Sequence, residues 1–256
     1  MIQKDFMGLL RGLNFWTLRQ KIKDSVIKTS TIQMYQRIDI YQVTEAERKK
    51  LLSLAADPQG QAAYLKMHGI LKRSTGDMKS HSFVLQFLQL LEMSCAHPYG
   101  VAMDTVSIKD TSNGSRACTF GNSTGTGQIQ YLWALEAPAT TSTYGILVGT
   151  GTTAPANTDY TIQTQTAHGT SANQLQYQAT SVGAAAVVGS NVDLLIMRIF
   201  INGSGGTITL KEIGIVWYGY GDGVTLRTFL ITHDAVNQAI NNGEIAVASY
   251  DLRTTV

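Results

Sequence analysis

One serine lies in a pattern that is typical of hydrolase nucleophiles. Residues 121–125 read Gly-Asn-Ser-Thr-Gly, which matches Gly-x-Ser-x-Gly and puts Ser123 at the nucleophile position. In α/β-hydrolases this turn lies between a buried strand and a helix, which presents the serine oxygen at the surface. Here residues 127–131 alternate like a further strand, so no helix is predicted after the serine. We therefore predict a polar loop, and we expect Ser123→Ala to leave function intact.

A glycine-rich segment resembles the start of a phosphate-binding loop. Residues 149–153 read Gly-Thr-Gly-Thr-Thr, but neither Gly-Lys-Ser/Thr nor a helix follows them. We predict instead that the glycines let a strand leave its sheet and allow another strand or subunit to approach the backbone closely.

The histidines and cysteines lack the spacing of metal or redox sites. No two of the five histidines are spaced as zinc ligands; they are His68, His81, His97, His168 and His233. His233 and Asp234 end an apolar run, where a turn or helix cap is predicted. Cys95 and Cys118 are predicted to be free thiols of a reducing compartment or an incidental pair. The sequence therefore predicts no enzyme, no metal site and no cofactor.

Aromatic residues of the second half offer a possible sugar-binding platform. They are Tyr131, Trp133, Tyr144, Trp217, Tyr218 and Tyr220. Strand alternation predicts instead that half of them face the core, including Trp217 if Ile213 and Ile215 do so. Glycan binding therefore stays open as a secondary possibility.

The composition favours a subunit of an assembly. Only 15% of the 256 residues are charged, and glycine, threonine, serine and alanine are abundant. Proteins that stay apart in solution usually carry more charge. The sequence contains no stretch of 18 apolar residues, so no membrane span is predicted. The N-terminus lacks the apolar core of a signal peptide. Synthesis and assembly in a cytoplasm are therefore expected.

The charge is divided unevenly along the chain. Residues 1–80 contain 14 lysines and arginines against 7 acidic residues, a net charge of +7. Residues 81–256 contain 6 against 11, a net charge of −5. This division predicts different neighbours for the two parts, unless the basic residues are simply the solvated faces of helices.

The first third of the chain is predicted to be helical. Residues 2–28 place apolar and basic side chains at roughly helical spacing. Such a segment can lie on a membrane surface or bind a partner. We favour the alternative that its apolar side packs on its own domain or on a sister subunit. Thr44 and Glu47 form a capping box for a helix over 45–56. Further helices are predicted over 59–69 and 81–95.

The helix over 81–95 supplies the candidate interface. Its apolar side chains are predicted to lie on one buried face, and the basic residues nearer the N-terminus are predicted to assist docking. The candidate interface residues are Phe83, Val84, Phe87, Leu88, Leu91, Arg19, Lys21 and Lys23.

Beyond residues 97–100 the chain changes to short strand-like runs separated by glycine, asparagine and threonine. The runs are 101–109, 116–120, 127–136, 143–149, 160–166, 173–182, 192–201, 206–218, 225–232 and 244–253. Such runs without intervening helices predict an antiparallel β-sandwich or jelly roll. The predicted fold class is α+β: a basic helical docking region over 1–95, then a jelly-roll-like antiparallel β-sandwich over 96–256.

Three local features refine this prediction. The glycine-rich segment 202–206 lies between two alternating runs and predicts a hairpin. Residues 234–242 suggest a helical turn before the last strand. Lys211 and Glu212 interrupt the apolar alternation and are placed on the solvent face.

The C-terminal half resembles structural proteins of tailed bacteriophages. Four segments carry the resemblance: the Gly-Thr-Gly-Thr-Thr-Ala-Pro loop within 144–160, Leu-Lys-Glu-Ile-Gly-Ile-Val-Trp at 210–217, Phe-Leu-Ile-Thr-His-Asp-Ala at 229–235, and the closing Tyr-Asp-Leu-Arg within 243–253. The helix at 80–91 looks like one that precedes such sandwiches. Together the segments cover roughly residues 80–253, and residues 1–79 lie outside the resemblance.

The resemblance implies a structural role in a virion. Neck, tail and fibre parts form rings or trimers, so it implies an oligomer whose partners are other copies and other virion proteins, in a particle assembled in the host cytoplasm. It transfers no catalytic residue, and neither a membrane nor nucleic acid is expected as a partner. The alternative is a receptor- or glycan-binding module exposed on the tail or capsid.

Overall fold

The structure of the protein, a computed structural model, describes residues 31–80, 83–95, 106–118, 134–221 and 225–255. These residues are mostly β-sheet with three helices, which agrees with the predicted fold class in its coarse form. The helices are α1 (Glu45–Ser53), α2 (Pro58–His68) and α3 (Leu85–Cys95). The strands are β1 (Thr31–Gln42), β2 (Ile70–Ser74), β3 (Met78–Lys79), β4 (Val106–Lys109), β5 (Ser115–Cys118), β6 (Gly145–Gly149), β7 (Ala167–His168), β8 (Gln174–Val182), β9 (Ala186–Val188), β10 (Asn191–Ile201), β11 (Ile208–Gly221), β12 (Thr225–Ile240) and β13 (Ile245–Thr255).

A large and a small sheet share one hydrophobic core. The large sheet runs β2-β1-β13-β10-β8-β7, with β3 also paired to β1 and β9 to β10; the small sheet runs β12-β11-β6. The pairs are antiparallel except β7 with β8, which is parallel. Every second residue of β13, such as Ala248 and Tyr250, faces the core, because successive side chains of a strand point to opposite faces. Ile213 and Ile215 of the small sheet meet them there.

Strand β1 lies in the interior of the large sheet. It pairs with β13 along almost its whole length and with β2 and β3 on its other side. Ile38 and Ile40 are buried in the core. The predicted helical character of residues 1–95 is therefore wrong for 31–42, 70–74 and 78–79, which are strands. A fragment of residues 96–256 would lack a central strand of this sheet.

The segment 202–206 joins the two sheets and is not the turn of a hairpin. Strand β10 before it belongs to the large sheet, and β11 after it belongs to the small sheet. Asn202 organises the crossing: its amide nitrogen donates to the carbonyls of Gly206 (2.9 Å) and Ile240 (2.7 Å), and its amide oxygen accepts from the Ser204 backbone N–H (3.0 Å). The hairpin prediction failed because local turn residues do not reveal which strands pair.

Helices α1 and α2 cover one half of the outer face of the large sheet. The capping box at Thr44 and Glu47 is confirmed, with the Thr44 N–H donating to the Glu47 carboxylate at 2.7 Å. Leu51 and Leu65, one from each helix, are fully buried against a small cluster that includes Ile199 from β10. The other half of this face has no helix on it in the described part of the chain.

Helix α3 is anchored at its start and leaves one side open. It begins at Leu85, four residues later than predicted, and the Val84 N–H donates to the Ile231 carbonyl of β12 at 3.2 Å. Val84 is fully buried, and the stacked rings of Phe83 and Phe87 are half-buried against the core.

The predicted burial of the α3 stripe is wrong for two of its residues. Leu88 is 60% exposed and Leu91 is 42% exposed, and Leu85 on the same side is 51% exposed. Only one side of the helix packs against β12, so part of the apolar stripe predicted from the sequence contacts the core and the rest is exposed. These three leucines are named the α3 leucines below.

Two further predictions of local structure are corrected by the small sheet. Residues 234–240 continue β12 and form no helical turn. Residues 160–166 form a loop and not a strand; an isolated β-bridge joins Gln165 to Gly149 of β6.

Candidate functional site

A loop over residues 150–166 lies across the outer face of the small sheet. It runs beside β6, where the Thr166 N–H donates to the Val148 carbonyl at 3.0 Å. Its Ile162 side chain is buried over Gly214 of β11, and a Cβ at Gly214 would stand 2.9 Å from the Ile162 side chain. The same Cβ would stand closer still to the Thr232 carbonyl oxygen of β12, so the glycine makes room for the adjacent strand as well as for the loop.

A histidine held between two carboxylates fixes this loop to the sheet. His233 of β12 is fully buried; its Nδ1 lies 2.7 Å from Asp159 in the loop, and its Nε2 lies 3.0 Å from Glu212 of β11. Both ring nitrogens are therefore occupied. We name Asp159, Glu212 and His233 the carboxylate–histidine cluster.

Glu212 also accepts three backbone hydrogen bonds from the loop. The N–H groups of Gly151 (2.9 Å), Gln163 (2.9 Å) and Thr164 (2.7 Å) all donate to its carboxylate. A Cβ at Gly149 would meet this carboxylate at 2.5 Å, and one at Gly151 would meet it more closely still. The glycines of the Gly-Thr-Gly segment therefore allow a buried carboxylate to approach the backbone.

Asp159 connects the cluster to the start of α3. Its carboxylate accepts the Ala156 N–H at 2.8 Å, which closes a turn within the loop, and its carbonyl accepts from the Gln86 side chain at 3.1 Å. The Leu85 N–H donates to the Asn157 carbonyl at 2.9 Å. The loop, the small sheet and α3 are thus held by one hydrogen-bond network.

The cluster favours a charged histidine and a charged glutamate. Burial alone lowers the pKa of His233, but its hydrogen bonds to Glu212 and Asp159 outweigh burial, so the pKa lies above its ordinary value of 6.5. Burial raises the pKa of Glu212, but the bond from His233 and the three backbone N–H groups outweigh it, so that pKa lies below its ordinary value of 4.5. With both nitrogens bonded and the ring buried, this arrangement suits holding the loop better than transferring protons.

Arg198 is a second buried charge, and it joins the two sheets. It lies on β10 with its whole side chain buried, and it donates to the carbonyls of Gln178 (2.7 Å), Tyr144 (2.9 Å) and Ile146 (3.1 Å) and to that of Thr141. Two of these acceptors lie at β6, so the guanidinium satisfies carbonyls at an edge of the small sheet. Burial lowers its pKa to about 10, which leaves it charged at neutral pH.

Asp234 joins the sheets at the opposite edge. Its carboxylate accepts from the hydroxyls of Ser80 (2.7 Å) and Tyr250 (3.0 Å). Burial, and next the charge of Asp234, raise the pKa of Tyr250 well above its ordinary value. The turn or cap predicted for His233 and Asp234 is therefore wrong: both lie within β12, one facing the loop and the other facing the core.

A groove of about 280 Å³ lies on the uncovered half of the outer face of the large sheet. Its walls carry paired charges, such as Arg37 with both oxygens of Asp39 at 2.9 Å. One oxygen of Asp251 is buried there without a hydrogen-bond partner among the described residues. Burial, and next the charge of Asp193, raise the pKa of Asp251. The lining residues are Tyr35, Gln36, Arg37, Asp39, Tyr41, Lys66, Asp77, Leu195, Met197, Val247, Ser249 and Asp251.

The residues singled out from the sequence have different positions. The residues of α3 and its start lie together at the edge of β12, as described above, whereas Arg19, Lys21, Lys23 and Ser123 lie outside the described residues. Trp217 is buried, as strand alternation predicted. The rings of Tyr144 and Tyr218 stack, with 4.8 Å between their centroids. Tyr131 and Trp133 also lie outside the described residues.

Sequence reasoning missed the carboxylate–histidine cluster. The prediction that Glu212 lies on the solvent face is wrong, because its side chain is buried under the loop. The sequence did contain a sign of this cluster: two titratable residues lie inside strongly apolar runs. They are Glu212, before Ile213, and His233, after Thr232. A titratable group in an apolar strand is expected to be exposed or paired, and only the fold identifies the pair.

In the part of the chain that the structure describes, no group of three or more histidine, cysteine, aspartate or glutamate residues is arranged so that it could hold a metal ion. None of the helices among those residues is long and apolar enough to cross a bilayer. Neither a family model, nor a curated protein, nor a solved structure matches the chain.

Proposed function

We propose that the chain is a structural component of a tailed phage virion, located in the neck, tail or fibre-attachment region, where it holds other subunits in place. In this proposal the two sheets act as a rigid, jelly-roll-like β-sandwich, and exposed surfaces carry out assembly. The partners are other copies of the chain and other virion proteins, and no catalysis is involved.

The meeting of the resemblance motifs at one buried cluster carries the proposal. Gly151 and Asp159 belong to the first motif, Glu212 to the second and His233 to the third, yet they bond with one another. The segments that carry the resemblance are therefore parts of one packed unit of this fold. The virion role itself is carried over from the resemblance by analogy.

The α3 leucines support an assembly role. Leu85, Leu88 and Leu91 are spaced three residues apart on one side of a helix that is firmly anchored at its start. Large apolar side chains that are exposed together on a rigid element are typical of protein–protein interfaces. We expect this surface, within the region predicted to dock, to contact another subunit.

A paired substitution tests this role. The double variant Leu88→Asp, Leu91→Asp should leave the isolated protein folded, because both side chains are exposed. It should reduce incorporation into particles at least about tenfold, since the introduced charges would be buried at the interface. Met67→Asp on α2, 77% exposed, is the matched control and should incorporate normally. Incorporation would be measured by mass spectrometry of purified particles. Absence of the wild-type chain from particles, or normal incorporation of the double variant, would contradict the proposal.

The groove on the large sheet favours a second function, the binding of a glycan. Tyr35 offers an aromatic wall, Arg37 a donor and Asp251 a partly exposed carboxylate acceptor, and sugars are bound by such combinations of ring faces and hydroxyl partners. Titration with a panel of oligosaccharides, followed by NMR of the protein, tests this function. Shifts confined to the groove that Asp251→Asn abolishes would support it; a panel without such shifts would contradict it.

A further inference from the structure

Strand β9 is a short edge strand with an apolar, exposed surface. Its three residues, Ala186–Val188, are all exposed, with Val187 at 78% and Val188 at 55%. It pairs with β10 on one side only, from Ala186 opposite Asp193 to Val188 opposite Asn191. On its other side no strand or loop of the described residues forms a backbone hydrogen bond with it.

The neighbouring edges of the molecule are covered by its own chain. Beside β8, the Thr180 N–H donates to the Ala137 carbonyl at 2.8 Å, and the Thr140 N–H donates to the Tyr177 carbonyl at 2.9 Å. The edge of β6 is bridged by Gln165 and by the guanidinium of Arg198. Edges protected in this way do not recruit another strand.

Strand β2, at the far end of the large sheet, is protected by charge instead. It carries Lys72 and Arg73, and the latter donates to the Ala239 carbonyl of β12 at 3.1 Å and bonds with Glu244. Charged side chains on an edge strand are a common means of preventing pairing between chains. In contrast, residues 183–190 read Gly-Ala-Ala-Ala-Val-Val-Gly-Ser, without a charge or a proline.

The apolar surface of β9 continues across the end of the large sheet. Val187 lies opposite Val192, which is 40% exposed, and Val192 lies opposite Thr254, which in turn pairs with Ile32. Ile32 is 68% exposed. An exposed apolar row that ends at an unpaired strand edge combines the two features by which strands recruit further strands.

We propose that β9 is a self-association edge, which pairs antiparallel with β9 of a second copy of this chain about a two-fold axis. An antiparallel pair of identical strands is compatible with two-fold symmetry, so one surface supplies both halves of the contact. Because residues 183–190 are uncharged, two copies approach without repulsion between like charges. The large sheets of the two copies would become continuous, and the row at Ile32, Val192 and Val187 would be extended across the axis.

The inference refines the assembly role proposed above, but it can fail independently. If β9 does not pair, the α3 leucines can still attach the chain to a particle. If the chain is absent from particles, β9 can still form a dimer of the isolated protein.

A charge at the edge tests the pairing. Val187→Lys should weaken self-association on the order of 100-fold, because it places like charges opposite each other at the two-fold axis. Met67→Lys is the matched control, because Met67 is almost equally exposed at 77%, and it should dimerise as the wild type does. Sedimentation equilibrium of full-length protein measures both. A monomeric wild type, an unchanged Val187→Lys, or equal weakening by the control would each overturn the inference.

A cross-link gives a second measurement that does not depend on weakened binding. Val187→Cys should form a disulfide-linked dimer on mild oxidation, since a two-fold pair of strands places the same residue close to its copy. Met67→Cys should remain unlinked under the same conditions. The two native cysteines, Cys95 and Cys118, are common to both proteins and cannot account for a difference between them. Equal cross-linking of both variants, or none in either, would contradict pairing at β9.

Discussion

The outer faces of the two sheets differ in how far they are covered. The outer face of the small sheet is closed by loop 150–166, and its charged groups, Glu212 and His233, are buried and bonded to each other and to the loop. The outer face of the large sheet is covered by α1 and α2 over one half only. On the other half, charges such as Arg37 and Asp39 pair at the surface beside the groove.

This difference separates groups that hold the fold from groups that are accessible to partners. A buried charge is tolerated only when it is fully hydrogen-bonded, so the carboxylate–histidine cluster and Arg198 have little capacity left for a ligand. The groove, the α3 leucines and β9 have exposed side chains. We therefore expect substitutions on the closed side to affect stability, and those on the open side to affect association.

The largest difference is expected between two carboxylates. Glu212→Ala removes the partner of three loop N–H groups and of His233, and breaking a buried pair from one side costs about 3–5 kcal/mol. Asp39→Ala on the open face removes a partly exposed pair with Arg37 and should cost less than about 1 kcal/mol. Urea unfolding of the three proteins measures both. Equal losses would remove the distinction between the two faces.

A comparison of two arginines sharpens the same distinction. Arg198→Met keeps the aliphatic length but leaves the buried carbonyls of Gln178, Tyr144 and Ile146 without a donor, which should cost about 2–3 kcal/mol. Arg37→Met, whose side chain is 40% exposed, should change the free energy of unfolding by less than about 1 kcal/mol. A wild-type unfolding midpoint for Arg198→Met would contradict the assigned role of Arg198.

The smallest expected effect is the pH dependence of stability. Since the pKa of His233 is raised on folding, its contribution is complete below its ordinary value of 6.5 and is lost as the pH rises through the folded pKa. Since the pKa of Glu212 is lowered, its contribution is present above its ordinary value of 4.5 and is lost as the pH falls through the folded pKa.

The cluster therefore stabilises the protein most between about pH 4.5 and 6.5. Urea midpoints measured across pH for the wild type and for His233→Gln isolate this contribution. As the pH rises, the urea midpoint of the variant should fall less than that of the wild type, because the variant has no histidine at position 233 to lose its proton. The same alkaline slope in both proteins would mean that folding does not raise the pKa of His233.

The sequence predicted local structure well where the determining residues are neighbours. The capping box at Thr44 and Glu47 and the alternation around Trp217 act over a few residues, and both predictions are confirmed. The pairing of β1 with β13, the crossing at 202–206 and the contact of His233 with Asp159 depend on distant segments. Local patterns contain no record of such contacts, so the candidate site could not be located from the sequence.

Hydrogen exchange of the free protein and of the assembled particle tests the central claim most directly. We predict that amides of Gly151, Gln163 and Thr164, which are bonded to Glu212, exchange slowly in both states. Amides of 184–188 and of the exposed side of α3 should exchange faster in the free protein and slow down on assembly. Unchanged exchange at both of these surfaces on assembly would contradict the claim that the open surfaces carry the association.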